Sequence, residues 1–231
     1  MNYVRRLAAD FKDMYNSGMF TADVSSILGH WANQGLIYYV VPRLRWNPTA
    51  DVEKMIADYC QLGFGPAAPK MAEYFAKIES FTRLAGQRVG RYVEEEMRSD
   101  EQENIQSGDQ FLKFAPEIYT SERLREAIRL LDEATPLADA ADVKARIRFL
   151  RERLRYAEVQ NRVYAIRNAG NTNPADVRPA FDEKYDQFRQ WFQDDFYAVG
   201  VSYLTYSEGW MESSRTGWKF SAALPPVPRK K

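Results

Sequence analysis

The chain has 231 residues, of which 45% are hydrophobic and 14% aromatic, enough to bury a sizeable core and too many for global disorder. Its 32 Lys and Arg balance 32 Asp and Glu, which argues against a nucleic-acid binder with a basic stripe. One cysteine, Cys60, excludes an internal disulfide framework, and the longest purely apolar run, 36–42, falls far short of the ~20 residues a membrane helix needs.

The first predicted helix runs from Asn2 to Asn16, with Val4, Leu7, Phe11 and Met14 on one face and Gly18 as its stop. The charged start, Met1 to Arg6, has no apolar stretch behind it and does not read as a signal peptide. Phe20, Ala22 and Val24 alternate with Thr21 and Asp23, the best strand candidate in the chain. Ser25 to Asn33 reads as a loop, and Gln34 to Trp46 as an apolar helix that Pro42 kinks or ends early. Helix, strand, loop and helix together follow the grammar of an α/β unit. One unit cannot make a sheet, so partner strands are expected N-terminal to Met1.

The remainder reads as helix. Thr49 is the expected cap of a helix carrying Val52, Met55, Ile56 and Tyr59, with Asp51 and Glu53 in its first turn. Gly65-Pro66 opens the next, with Met71, Phe75, Ile78 and Phe81 along it and a continuation past Gly86 and Gly90 to Met97. Residues 98–107 are polar and read as a loop or frayed helix. Leu124, Ile128 and Leu131 mark a helix that ends near Thr135-Pro136. Val143, Ile147, Leu150, Leu154 and Ala157 alternate steps of four and three, the spacing of an antiparallel bundle, in a helix that ends near Gly170. The arginines between Arg146 and Arg155 read as a solvated face balanced by nearby acids. A last helix starts at Asn173-Pro174 with Phe181, Tyr185, Phe188, Phe192, Phe196 and Val199 as its stripe, and a Pro-rich basic tail follows.

Chemistry-bearing motifs are sparse. His30 is the single histidine, so with Cys60 it cannot build an ordinary zinc site, and no loop has calcium-binding spacing; no metal and no cofactor is expected. No P-loop, dinucleotide fingerprint or nucleophile elbow is present. The candidate site is Asp23, Ser25, Ser26, His30 and Trp31, at the end of the strand candidate, where βα barrels hold substrate. A carboxylate can bond sugar hydroxyls and a Trp face can stack on a pyranose ring. The bland alternative is a turn-capping Asp23 and a core Trp31. The aromatics Trp191, Tyr203, Tyr206, Trp210 and Trp218 read more readily as core or interface. Of the carboxylate pairs, Asp194 and Asp195 point to different sides of a helix, whereas Glu208 and Glu212 share a face as many solvated acids do.

The run Gly35-Leu36-Ile37-Tyr38-Tyr39-Val40-Val41-Pro42-Arg43-Leu44-Arg45-Trp46-Asn47-Pro48, then Asp51-Val52, then Gly65-Pro66-Ala67-Ala68-Pro69-Lys70-Met71-Ala72-Glu73-Tyr74-Phe75, resembles a bacterial family of unknown function. That family occurs at the C-terminal end of large proteins similar to α-glucuronidases and other glycosidases. The likeness covers roughly residues 17–165 by pattern. It implies a carbohydrate-active parent whose barrel and catalytic acids precede Met1, so it assigns no catalytic residue here. It implies substrate contact at Asp23, Ser25, His30 and Trp31. Pro42 departs from the small residue usual before the arginine–leucine pair.

The expected fold is therefore mainly α: a remnant βα unit of a TIM-type barrel (1–48), a bundle-like helical domain (49–220) and an extended tail (221–231). The expected function is the C-terminal helical part of a glycoside hydrolase-like protein. The alternative is a non-enzymatic interaction or dimerisation module. Expected partners are a carbohydrate, a second copy or the missing barrel, with no nucleic acid and no membrane. A complete active site is not expected, and the compartment stays open.

Overall fold

The computed structural model describes residues 3–19, 31–96, 114–170 and 179, and every element among them is helical. The strand candidate at 20–24, the polar stretch at 98–107, the aromatic stripe beyond 180 and the tail lie outside the described residues.

Helix α1 spans Val4–Asn16 and buries Val4 and Phe11, with Leu7 and Met14 packed against the core, as the periodicity predicts. Gly18 follows it at φ 85°, a left-handed position that glycine fills without a Cβ clash. Helix α2 spans Trp31–Trp46, three residues earlier than the sequence reading placed its start. The reason lies in its stripe: Ala32 is buried with Leu36, Val40 and Leu44 at steps of four, so the apolar face begins one turn sooner. The helix also passes through Pro42 to Trp46 and does not end early.

Helix α3 spans Val52–Phe64. Its cap is Asp51, not Thr49. Asn47 Oδ1 accepts from the Thr49 backbone N–H at 3.2 Å and from its hydroxyl at 2.9 Å, committing Thr49 to the α2–α3 turn. Asp51 then sits in extended conformation and accepts from Glu53 N at 2.9 Å and Lys54 N at 3.3 Å. Gly65, at φ 52°, closes α3, and Gly65–Ala67 forms a 3-10 turn carrying Pro66 in its first positions.

Helix α4 runs Ala68–Glu96, through Gly86 and Gly90 as expected. After a helical turn at 114–118, α5 spans Ser121–Ala134, capped by Thr120, whose hydroxyl accepts from Arg123 N at 3.3 Å. The 3-10 turn Thr135–Leu137 leads to α6, Ala141–Asn168. Val143, Ile147, Leu150 and Leu154 are buried there, matching the four–three spacing.

Helices α4 and α5 lie antiparallel, and their register is written in ion pairs. Lys70 meets Glu133 at 3.0 Å and, seven residues on, Lys77 meets Glu126, seven residues back, at 2.5 Å. Arg88 continues the ladder to Glu117 at 3.2 Å and lies 4.1 Å from the Phe114 ring centroid. Beneath these pairs one buried cluster joins all the helices from Val4 to Leu154, with Leu44, Met71, Leu124, Leu131 and Ile147 almost free of solvent. Burying each such side chain contributes about 1.5–3 kcal/mol. Among the described residues no helix is long and apolar enough to cross a membrane.

Candidate functional site

Asp23, Ser25, Ser26 and His30 lie outside the described residues. Trp31 does not lie in a loop: it is the first residue of α2, so the helix backbone fixes where it starts.

One turn into α2, Gly35 faces α3 at close range. A Cβ on Gly35 would stand 2.8 Å from the Tyr59 hydroxyl. Any side chain there would have to push the phenol aside. Tyr59 has little freedom to move, because its ring packs on Tyr39 at 5.3 Å, Phe75 at 5.5 Å and Phe64 at 6.1 Å between centroids. Tyr74 adds a fourth contact, against Phe75 at 5.1 Å. The glycine therefore sets how closely α2 approaches α3, and through it the placement of the first turn that Trp31 opens.

This aromatic layer is chemically quiet at neutral pH. Burial pushes the Tyr59 phenol up to about 12, with smaller opposing contributions from Cys60, which raises it, and Arg146, which lowers it. Burial likewise pushes the neighbouring Cys60 thiol up to about 11 and raises Tyr74 well beyond the ordinary phenol range. A protonated, buried thiol is a poor nucleophile. These groups hold the fold and offer neither a base nor a nucleophile.

The second polar feature is a charged clip where α1, α3 and α4 meet. Arg5 on α1 binds Glu53 on α3 through both ends of its guanidinium, Nε to Oε1 at 2.6 Å and Nη2 to Oε2 at 2.8 Å. Its Nη1 bonds Glu79 on α4. The backbone N–H of Arg5 also donates to Glu79 Oε1 at 3.3 Å. Tyr3 gives α1 no side-chain cap, so Glu79 supplies an acceptor to the helix N-terminus from 74 residues away. The bond to Glu53, with that to Glu79, raises the Arg5 pKa, and the guanidinium stays charged at any ordinary pH. Glu79 is the one charged side chain in the buried set of the described residues, at 6% exposure. Both features escaped the sequence reading, though each left a trace. Glu79 occupies the next i+4 position after Met71 and Phe75, where an apolar residue belongs, and Gly35 interrupts an apolar helix.

At the far end of α2 the arrangement opens to solvent. Arg43 lies over the Tyr39 ring at 3.4 Å from its centroid and donates to the Tyr39 carbonyl at 2.7 Å. Trp46, the last residue of the helix, is 92% exposed. Among the described residues no group of three His, Cys, Asp or Glu side chains comes together as a metal site. Three arginines of α6 are met by acids, Arg146 by Asp142 at 2.9 Å, Arg151 by Asp132 and Arg155 by Glu152 at 3.0 Å, but Arg146, Arg151 and Arg153 are half-buried, so the face is less solvated than the sequence predicts.

The fold and these clusters define a helical protein in which the Gly35–Tyr59 approach and the Arg5 clip join α1, α2, α3 and α4. Residues 2–77 match the profile of a domain of unknown function, DUF4838. No curated protein and no solved structure matches the chain.

Proposed function

We propose that the chain is the helical C-terminal part of a glycoside hydrolase-like, carbohydrate-active protein. Its helices brace a barrel, and the stretch from Asp23 to Trp31 contributes one sugar-contacting loop. Two things support the reading: the resemblance of residues 35–75 to a family in glycosidase-like proteins, and the DUF4838 match over residues 2–77. The observation that carries it is mechanical. The close approach of Gly35 to Tyr59 fixes the spacing of α2 and α3 one turn beyond Trp31, the candidate residue at the start of α2. Asp23 and Ser25 supply hydrogen-bonding groups and Trp31 a stacking face; His30 adds a donor or acceptor. No catalytic pair is assigned to this chain.

The test is binding and turnover of the purified chain on a panel of glycans and aryl glycosides, uronic-acid ones included. Weak glycan binding that Trp31→Ala abolishes, with no turnover, is the expected result. Turnover lost in Asp23→Asn would overturn the supporting role, because a complete site would then lie in this chain. Absence of both binding and turnover would overturn the sugar reading. A second reading, a non-enzymatic helical interaction module, is favoured by the exposure of Trp46 at the end of α2. It expects no glycan binding and a self-association or partner affinity that Trp46→Ala weakens.

A further inference from the structure

We draw no further inference here: the strongest candidate, the surface patch at the C-terminal end of α2 where the exposed Trp46 follows the Arg43–Tyr39 stack, is an unpartnered apolar face, and nothing in the structure shows what covers it.

Discussion

The corner formed by α1, α2, α3 and the start of α4 and the limb formed by α4, α5 and α6 are held by different means. In the limb, contacts repeat: an apolar residue every three or four positions, and cross-helix ion pairs seven residues apart on each strand of the hairpin. In the corner, contacts are singular. One arginine ties three helices, one buried carboxylate caps a helix from 74 residues away, and one glycine admits one phenol. A repeating seam tolerates the loss of any one exposed pair, because its neighbours keep the register. A singular contact has no neighbour to replace it. The comparison therefore predicts unequal sensitivity for polar residues in the two regions and equal sensitivity for apolar ones.

The apolar prediction carries the largest effect. Leu131 in α5 and Leu44 in α2 are both fully buried. Leu131→Ala and Leu44→Ala should each lower stability by about 2–5 kcal/mol, the range for cavities in packed cores. Chemical denaturation should show one cooperative transition for both variants, because one buried cluster spans both regions. Two separated transitions would mean that corner and limb unfold independently, and the comparison would have to be redrawn as two units.

The next effect is confined to the corner. Glu79→Ala removes the acceptor for the Arg5 guanidinium and for the Arg5 backbone N–H. Arg5 is partly exposed and keeps Glu53, so water and the remaining partner limit the loss. A cost of about 1–3 kcal/mol is expected, with hydrogen-exchange protection lost first in α1. Uniform loss across all helices would show that Glu79 supports the core generally and does not specifically hold α1.

A smaller effect arises in the aromatic layer at alkaline pH. Cys60 moves from 9.0 to about 11 on folding and Tyr59 from 10.0 to about 12. Between those limits the folded state holds protons that the unfolded state has released. Stability is therefore full below about pH 9 and falls as pH rises from 9 toward 12. Denaturation midpoints measured from pH 7 to 11 should be flat and then decline. In Tyr59→Phe the decline should be shallower. An unchanged slope in that variant would place the pH dependence on other groups. Cys60 and Tyr74, also pushed up by burial, are the first to test, and Tyr119, pushed up to about 12, the next.

The difference between corner and limb also explains what could be read from the sequence. Val143, Ile147, Leu150 and Leu154 announce their helix because the signal repeats within it, and the structure buries all four. The stripe on α4 is legible for the same reason, and the ends near Thr135-Pro136 and Gly170 because proline and a left-handed glycine stop a helix locally. Capping was legible only in kind. A polar residue was expected before α3, but whether Thr49 or Asp51 serves depends on Asn47 claiming the threonine first. The start of α2 differs because Ser25 to Asn33 reads as a loop, whereas Ala32 extends the buried face one turn behind Leu36. The Arg5–Glu53–Glu79 clip joins residues 48 and 74 positions apart, and no local pattern encodes such a meeting. Of the candidate sugar-contacting residues, only Trp31 falls on a described element, at the start of α2. Asp23, Ser25 and His30 rest on the sequence reading.

The smallest expected effect sharpens the comparison most. Lys77 and Glu126 form a half-exposed rung of the α4–α5 ladder, and the lysine partner holds the Glu126 carboxyl below its usual range. Exposed pairs of this kind contribute little, since two flexible side chains must be ordered to gain a screened attraction. Lys77→Glu alone places two acids on facing helices and should lower the denaturation midpoint slightly. Adding Glu126→Lys should restore it, because the swapped pair has the same geometry with the charges exchanged. At ~1 M salt, where the Debye length is about 3 Å, the single reversal should approach the parent. If Lys77→Glu instead destabilised the protein as much as Glu79→Ala, and salt did not relieve it, the ladder would itself be singular. Corner and limb would then differ in pattern but not in how they depend on charge.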